Sequence, residues 1–283
     1  MKTRLPSWFK KSLPDPQLMA TMKTLLGGLS LHTICESAVC PNIGECFSQK
    51  TATFLILGSV CTRNCTFCAV KKGEASFVDE EEPQHVQEAV ERLGLRYVVI
   101  TSVTRDDLPD GGASQFARTI RMLRENGKDL IVEVLIPDFL GCANALRTVV
   151  EAGPQVINHN VETVPHLYRE VRPEADYRRS IELLLLAKRL NPEIITKSGI
   201  MLGLGETRDQ VIGVMEDLRE VNCDLLTIGQ YLQPSQKHHP IVRFVPPSEF
   251  AEYTQIGKDM GFSKVTSAPL MRSSFQAAEL YLK

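Results

Sequence analysis

Six apolar, β-branched runs recur along the chain at fairly regular intervals. They lie at Thr53–Val60, Tyr97–Val103, Leu130–Ile136, Val156–Asn160, Ile194–Leu202 and Leu225–Leu232. Uninterrupted apolar runs of this length are typical of parallel strands that are buried on both faces of a sheet. The pattern therefore predicts six buried parallel strands.

Segments with the spacing of amphipathic helices alternate with these runs. They are Glu82–Leu93, Ala113–Glu125, Cys142–Ala152, Tyr177–Leu190, Arg208–Val221 and Pro247–Met260. Strands that alternate with helices indicate a wound parallel α/β fold, most simply a partial (β/α)6 barrel of the TIM type with one open side. A doubly wound open sheet is the alternative.

The two ends of the chain depart from this alternation. Residues 1–50 carry little strand signal, and a short segment, Lys264–Pro269, precedes a predicted helix at Arg272–Leu282. We interpret both ends as extensions that lie against the barrel, with the chain divided into 1–50, 51–260 and 261–283. No internal repeat or flexible linker separates these parts, so we expect one compact domain.

The composition is that of an ordinary globular protein, and it excludes several functional classes. Of 283 residues, 43% are hydrophobic and 23% are charged, and the net charge of −2 gives no field that attracts nucleic acid or an anionic membrane. Apolar runs such as Ile181–Leu190 are too short and too interrupted to span a bilayer. The N-terminus lacks the apolar region and cleavage site of a secretory signal, which favours a cytoplasmic protein with reduced cysteines.

Six of the eight cysteines fall into two triplets within 34 residues: Cys35, Cys40 and Cys46, then Cys61, Cys65 and Cys68. Clustered thiols in a reducing compartment bind metal more often than they form disulfides, which are the alternative. A structural zinc closes its site with four ligands, whereas an iron–sulfur cluster held by three thiolates leaves one iron open for chemistry. Two incomplete sets therefore predict two clusters, at least one of them reactive.

The second triplet directly follows the first predicted strand, with three and then two residues between its cysteines. In a parallel barrel the loops after the strand C-termini form the active site, so topology places a catalytic group here. The run Cys61–Cys68 resembles the CxxxCxxC signature of radical S-adenosylmethionine (radical SAM) enzymes, including the aromatic residue before the last cysteine. The competing interpretation is a zinc site completed by a distant histidine, although no HxxxH pair follows.

The first triplet narrows this resemblance. Its CxxxxCxxxxxC spacing, directly ahead of CxxxCxxC, resembles that of the lipoyl synthases. Further matches lie at Thr101–Ala113, Gln230–Ser235 and Lys237–Pro240, so the resemblance covers roughly residues 30–276. It implies a radical SAM partial barrel with two 4Fe-4S clusters and S-adenosylmethionine, which is chelated by the open iron at the second triplet.

The same resemblance implies a fourth ligand for the first triplet. In lipoyl synthases this triplet holds an auxiliary cluster whose fourth ligand is a serine from a C-terminal Arg-Ser-Ser-Tyr motif. The motif reads Arg272–Phe275 with the sequence Arg-Ser-Ser-Phe here, which implies that Ser273 is the iron ligand. An alkoxide is a less suitable ligand for iron than a thiolate, so the iron atom bound by Ser273 should be the one that is lost most easily. Without the resemblance, Ser273 would be interpreted as a helix N-cap.

The resemblance also implies an activity. Lipoyl synthases are sulfurtransferases that insert two sulfur atoms at carbons 6 and 8 of an octanoyl chain linked to a lysine of a lipoyl carrier protein. A 5′-deoxyadenosyl radical activates each carbon, and both sulfurs come from the auxiliary cluster. The implied partners are octanoylated carrier domains, either the E2 component of a dehydrogenase complex or the H protein of glycine cleavage, and a low-potential electron donor. The family suggests a monomer.

Residues at the predicted strand ends are candidates for contacts with S-adenosylmethionine. Gly199 begins a segment that resembles the fifth-strand segment packed along the adenine, although an ordinary strand-to-helix turn uses the same glycines. Asn160 and Glu162 either bond the ribose or methionine end of the cofactor or cap a helix. The remaining candidates from the same resemblance are Thr101, Lys197 and Gln230.

Other residues have two interpretations each. The basic loop Lys237–His239 either guides the carrier domain or is simply solvated, and Arg105–Asp107 either closes over the substrate or forms a surface ion-pair cluster. We interpret His159 as a satisfied interior histidine rather than a metal ligand. Cys142 and Cys223 are predicted to be small core residues.

The chain departs from the family pattern at five positions. Phe275 replaces a tyrosine, Thr104 replaces an acidic residue, and Asn64, Thr66 and Ala69 are unusual around the second triplet. None is a predicted cluster ligand, so we expect these residues to affect substrate preference or rate rather than the class of reaction.

Three other functions compete with this interpretation. A biotin-synthase-like enzyme also inserts sulfur, but its auxiliary ligands are spread across barrel strands. A two-cluster electron carrier of the ferredoxin type would leave a barrel of roughly 200 residues unused. A regulatory iron sensor would keep the fold without turnover.

Overall fold

A computed structural model describes residues 5–11, 14–126 and 129–282 of the chain. The strands in this part of the chain are β1 (His32–Thr33), β2 (Thr53–Ile56), β3 (Val60–Cys61), β4 (Lys71–Lys72), β5 (Tyr97–Ser102), β6 (Ile131–Leu135), β7 (Val156–Asn158), β8 (Ile195–Leu202), β9 (Leu225–Gln230) and β10 (Lys264–Ala268). The α-helices are α1 (Pro16–Gly28), α2 (Ile34–Ser37), α3 (Ile43–Ser48), α4 (Glu82–Leu93), α5 (Ala113–Asn126), α6 (Ala143–Glu151), α7 (Tyr168–Val171), α8 (Tyr177–Leu190), α9 (Arg208–Glu220), α10 (Pro247–Asp259) and α11 (Ala277–Leu282). Short 3₁₀ helices lie at Ser7–Phe9, Phe139–Gly141 and Pro165–Leu167.

Eight strands form one sheet in the order β1-β2-β5-β6-β7-β8-β9-β10. Strands β2 and β5 to β10 run parallel, whereas β1 pairs antiparallel with β2. Among the described residues no pairing between β1 and β10 closes the sheet. All six predicted strands are present, and the expectation of a partial barrel with an open side is confirmed.

The structure adds a seventh parallel strand, β10, in the segment that the sequence pattern assigned to the C-terminal extension. Lys264–Ala268 pairs residue by residue with Leu225–Gly229 of β9. The pattern did not reveal this strand because only Val265 is buried in it, so the apolar run is missing. The division of the chain into 1–50, 51–260 and 261–283 stays a prediction.

The predicted helix at Arg272–Leu282 is shorter than expected and begins at Ala277. Gln276 has a φ of 52°, a left-handed conformation that cannot continue a right-handed helix. Ser273 therefore lies four residues before the helix and is not its N-cap.

A polar cluster on the inner face of the sheet shows how strongly the sheet curves. The ammonium group of Lys197 on β8 reaches both carboxylate oxygens of Glu133 on β6, at 2.8 and 3.1 Å, although β7 lies between these strands. Asn158 on β7 and the hydroxyl of Tyr97 on β5 donate to the same carboxylate, at 3.0 and 2.6 Å. Both charged side chains are fully buried, so their pairing is required to offset the cost of removing them from water.

The outer face of the sheet carries the apolar positions that alternate with this cluster. Val132 and Val134 flank Glu133 on β6 and are fully buried in the main core, which also contains Phe116 and Ile120 of α5. Chemistry on the inner face is thus separated from the packing that holds the helices. Within the described residues, no helix is both long and apolar enough to cross a bilayer.

His159, directly after β7, is an interior histidine whose two ring nitrogens both have partners. Its Nδ1 lies 2.8 Å from the carbonyl oxygen of Ile136, and its Nε2 lies 3.0 Å from the hydroxyl of Ser180. Burial, helped by the positive charge of Arg172, lowers the pKa of His159 to about 4. The prediction that it is a satisfied interior residue is confirmed.

This lowered pKa makes the stability of the fold depend on pH. Between pH 6.5 and 4 the unfolded chain binds a proton at His159 that the folded chain does not, so the free energy of unfolding falls as the pH decreases. We expect His159 to account for a loss of about 2 kcal/mol between pH 7 and 5. Urea unfolding of the metal-free protein should show this loss, and His159→Asn should lack it. The exposed His166→Asn should retain it, and an unchanged pH dependence in His159→Asn would contradict the assignment.

Candidate active site

The second cysteine triplet lies on a loop beyond the C-terminal end of β2. Cys61 ends the two-residue strand β3, which pairs parallel with β4, and Cys65 and Cys68 lie between these strands. The loop is tied to its surroundings at both of its later cysteines. Lys72 donates to the carbonyl oxygen of Cys65 at 2.8 Å, and His238 Nε2 lies 3.2 Å from the carbonyl oxygen of Cys68.

Arg63, between the first two cysteines of this loop, fixes it to two neighbouring loops. Its guanidinium group binds Asp106, after β5, through two hydrogen bonds of 2.6 and 2.9 Å. It also binds Asp138, after β6, at 2.6 Å. Only 4% of the Arg63 side chain and none of the Asp138 side chain is exposed. Burial alone would raise the pKa of Asp138, but the hydrogen bond and charge of Arg63 outweigh it and lower this pKa to about 2.

The charged segment Arg105–Asp107 is thereby part of the support of this loop. Asp106 binds Arg63, while the buried Arg105 binds Asp107 at 2.8 Å and the carbonyl oxygen of Leu57 at 3.3 Å. These contacts connect the segment to the loop of the second triplet and to the C-terminal end of β2. The basic loop Lys237–His239 acts similarly, because the backbone N–H of His239 donates to the carbonyl oxygen of Thr66 at 3.0 Å.

The first triplet lies near the opposite end of β2. Strand β1 runs antiparallel to β2, with His32 opposite Leu55 and Thr33 opposite Phe54, so the chain leads past the N-terminal end of β2 into α2. Cys35 is in α2, Cys46 is in α3 and Cys40 lies in the connection between them. Because β2 has only four residues, at about 3.3 Å each, its two ends are roughly 10 Å apart. The structure therefore brings the two triplets to opposite ends of one short strand.

The pKa is raised at four of the six triplet cysteines, namely Cys35, Cys46, Cys65 and Cys68. Burial raises the pKa of Cys35 to about 11, and burial and the charges of neighbouring cysteines raise the pKa of Cys46 and of Cys68 to about 12. Burial also raises the pKa of Cys65, and the positive charge of Arg172 opposes this. Buried thiols that repel one another as anions are stabilised as thiolates by a bound cation.

The free cysteines of the two triplets supply donors of the type that iron–sulfur clusters use. In the part of the chain that the structure describes, no three His, Cys, Asp or Glu side chains converge closely enough to hold one ion. In a 4Fe-4S cluster each thiolate binds a different iron, so its ligands are spread around the cluster. Two sets of three free cysteines, one of them buried and five partly buried, match this donor set.

Ser273 reaches the inner face of the barrel beside Asn160 and Gly199. Its hydroxyl donates to Oδ1 of Asn160 at 2.8 Å, and Nδ2 of Asn160 donates to Glu162 at 3.1 Å. A Cβ atom on Gly199 would lie 2.7 Å from both Ser273 Oγ and Asn160 Oδ1. The structure thus brings four predicted site residues together, and the glycine allows Ser273 to approach. Sequence reasoning assigned this glycine to an adenine contact.

Charged side chains link this group to both triplets. Burial raises the pKa of Glu162, whereas the charges of Arg172 and Arg272 oppose the shift. Burial lowers the pKa of Arg272, and the negative charges of Cys40 and Glu162 oppose that shift. Arg272 therefore faces the first triplet and Glu162 at once. Glu162 has a φ of 65°, an unusual conformation that positions its side chain at this junction.

Three predicted cofactor contacts lie elsewhere. Lys197 belongs to the cluster around Glu133, and the hydroxyl of Thr101 donates to the carbonyl oxygen of Leu135 at 2.9 Å. Nε2 of Gln230 donates to three backbone carbonyl groups, and its Oε1 accepts from the N–H of Val245 at 2.8 Å. Their contacts with S-adenosylmethionine stay predictions. Among the other cysteines, Cys223 is buried as predicted, whereas Cys142 is exposed and that prediction was wrong, because Cys142 precedes α6 instead of packing within it.

Comparisons with known proteins agree with this geometry. A sequence model of the radical SAM superfamily matches residues 55–218. The chain is 57% identical over 277 residues to the lipoyl synthase of Caldanaerobacter subterraneus subsp. tengcongensis, covering 98% of this chain and 97% of that one. It is 56% identical over 261 residues to the lipoyl synthase of Aquifex aeolicus, covering 92% and 95%.

Solved structures support the fold alone. Methylornithine synthase is similar with a TM-score of 0.57 and 13% identity, covering 89% of this chain and 72% of that one. HydG, a maturase of the [FeFe]-hydrogenase, is similar with a TM-score of 0.58 and 14% identity, covering 89% and 56%.

The support given by Arg63 leads to a stability prediction. Arg63→Met leaves the buried carboxylate of Asp138 without its strongest partner, so we expect a loss of about 3 kcal/mol in the free energy of unfolding and reduced iron uptake. Urea unfolding and iron analysis after reconstitution measure both. Arg92→Met is the matched control, because Arg92 forms an exposed ion pair with Glu88 and its loss should cost under about 0.5 kcal/mol. Equal losses in the two variants would contradict the role of Arg63.

The C-terminal segment around Met271 packs closely against Gly229 of β9, and this packing gives a second prediction. A Cβ atom on Gly229 would lie 2.1 Å from the carbonyl oxygen of Met271. Gly229→Ala should displace this segment and cost about 1–3 kcal/mol, with faster proteolysis of the C-terminus. Gly213→Ala in α9 meets nothing within 4 Å and should be neutral or stabilising. Identical unfolding midpoints and proteolysis rates would show that the segment does not pack against Gly229.

Proposed function

The chain belongs to the lipoyl synthase family of radical SAM enzymes, and from this premise we propose how its own residues carry out the reaction. It is a sulfur-inserting enzyme that places two sulfur atoms at carbons 6 and 8 of a protein-bound octanoyl-lysine to form the lipoyl group. The observation that supports the proposal is the position of the two cysteine triplets at opposite ends of β2, together with the approach of Ser273 to Asn160 and Gly199 on the inner face.

We assign the two triplets to two clusters. Cys61, Cys65 and Cys68 would hold a 4Fe-4S cluster that keeps one iron open for S-adenosylmethionine. Cys35, Cys40, Cys46 and Ser273 would hold the auxiliary 4Fe-4S cluster. When bound, these cofactors supply the electron, the 5′-deoxyadenosyl radical and the sulfur atoms, which no side chain of the protein can supply.

The protein contributes position and charge. Asn160, Glu162 and Gly199 form one group beside Ser273 on the inner face, and we assign to it the place where S-adenosylmethionine and the octanoyl chain would meet. Asn160 and Glu162 supply hydrogen-bonding groups for the cofactor, and Arg272 balances the negative charge of the first triplet. Arg172 holds the backbone at Asn160 in place by a hydrogen bond of 3.0 Å to its carbonyl oxygen.

The partners follow from the same proposal. The substrate is an octanoylated lipoyl carrier domain, of a dehydrogenase E2 component or of the glycine-cleavage H protein, and a low-potential donor reduces the cluster. We propose a monomer that works in the cytoplasm, where reducing conditions keep all eight cysteines free, as they are in this structure.

An anaerobic turnover experiment tests the proposal. The protein is reconstituted with iron and sulfide and mixed with an octanoylated carrier-domain peptide, S-adenosylmethionine and dithionite. Mass spectrometry should show a dithiolane on the peptide and about two 5′-deoxyadenosines for each lipoyl group. Cleavage of S-adenosylmethionine with an unchanged peptide would reject this substrate.

Single substitutions separate the roles of the triplets. Cys61→Ala should abolish cleavage of S-adenosylmethionine, because its cluster loses a ligand. Cys40→Ala should retain cleavage but stop sulfur insertion. Cys142→Ala, at an exposed cysteine outside both triplets, is the control and should behave as the unaltered protein. Full turnover by Cys40→Ala would refute the assignment of the first triplet.

A further inference from the structure

The side chain of Lys11 joins three segments that are far apart in the sequence. Its ammonium group donates to Oδ1 of Asn42 at 2.6 Å and to Glu45 at 2.8 Å, both within the first-triplet region. The same group lies over the ring of Phe275, 5.0 Å from its centroid. Only 27% of the Lys11 side chain is exposed. A surface lysine with one partner would not show this combination of contacts.

Asn42 extends this connection to the C-terminal segment. Its side chain is completely buried between Cys40 and Cys46 in the sequence, and its Nδ2 donates to the carbonyl oxygen of Leu270 at 2.8 Å. Leu270 and Phe275 lie on either side of Ser273 along the chain. Lys11 therefore holds the segment that carries Ser273 at two points, directly at Phe275 and through Asn42 at Leu270.

Packing of the N-terminal segment places Lys11 at this junction. A Cβ atom on Gly44 would lie 2.5 Å from Cβ of Pro14, so this glycine lets Pro14, three residues after Lys11, lie directly on α3. On the other side of Lys11, the ring of Phe9 packs 5.7 Å from that of Phe244. The ammonium group is thus brought to the triplet by contacts on both sides.

We propose that Lys11 is a positioning residue for Ser273, and thereby for the iron atom of the auxiliary cluster that Ser273 would bind. This inference rests on the proposed function, in which the first triplet and Ser273 bind the auxiliary cluster. Asn160 competes for the same serine hydroxyl, since it accepts a hydrogen bond from Ser273 at 2.8 Å. A weak alkoxide ligand with a competing partner needs a segment that is held in place, and Lys11 provides this hold.

The contact also explains how the chain tolerates phenylalanine at position 275. Lys11 contacts the face of the ring, and a cation is attracted to the face of a phenylalanine ring without any hydroxyl group. The ammonium charge also lies near Cys46, where it acts against the rise in the pKa of this thiol. The Lys11 side chain thus lies near Cys46 and also contacts the segment that carries Ser273.

Iron release from the first cluster tests this role. The background is the full chain with Cys61, Cys65 and Cys68 replaced by alanine, so that only the first triplet binds a cluster after reconstitution. A ferrous chelator is added and the release of the first iron is followed by absorbance. Lys11→Met should release it about three- to tenfold faster, the change expected for loss of a cation–π contact and a partly exposed ion pair.

Two further variants distinguish positioning from general destabilisation. Lys10→Met alters the neighbouring exposed lysine and should leave the rate unchanged. Lys11→Arg keeps the charge and can stack on Phe275, so it should restore a rate close to that of the background protein. Phe275→Leu should accelerate release as well, and combining it with Lys11→Met should add less than the product of the two effects, because both remove the same contact.

The outcomes separate the inference from the proposed function. A background protein that binds no cluster would overturn the assignment of the first triplet, and the role of Lys11 with it. A stable cluster whose iron release is unchanged in Lys11→Met would overturn the role of Lys11 alone. The role of Lys11 would also be contradicted if Mössbauer spectra showed the same signal for the iron bound by Ser273 in the background protein and in its Lys11→Met variant.

Discussion

The arrangement of the site depends on how closely the C-terminal segment approaches the inner face of the barrel. Two glycines allow it, because a Cβ atom on Gly199 would meet Ser273 and one on Gly229 would meet the backbone of Met271. With any other residue at these positions the segment would have to move outward. Ser273 would then lose its place beside Asn160, and the first triplet would lose the serine proposed as its fourth ligand.

The length of β2 sets how far apart the two triplets lie. β2 is short, and β1 turns the chain back along it, so the first triplet lies near one end of β2 and the second beyond the other. Polar side chains then hold each triplet region: Arg63 and its two carboxylates hold the second, and Lys11 and Asn42 hold the first. Buried ion pairs contribute little net stability, but they define geometry, because a shifted charge would lose its partners.

Much of this could be predicted from the sequence, for physical reasons. Buried parallel strands leave apolar runs, and the cysteine spacings are local, so six strands and six proposed ligands could be identified. β10 could not, because it has one buried apolar residue and depends on β9 for its pairing. Nor could the partners of Lys197 or the contact of Lys11 with Phe275, since each joins residues that are distant in sequence. Arg63 was a signal that could have been used, because a charged residue between two cysteines proposed to bind a cluster is expected to have an oppositely charged partner.

The measurement that tests the account most directly is a count of iron and sulfide, with Mössbauer spectra, for three proteins reconstituted in parallel. These are the unaltered chain, a variant with the first triplet replaced by alanine, and one with the second triplet replaced. Two clusters held by the two triplets predict about eight irons per chain in the first protein and about four in each variant, all in 4Fe-4S clusters. A count of about four in the unaltered chain, or a first-triplet variant that keeps about eight, would contradict the assignment of two clusters to the two ends of β2.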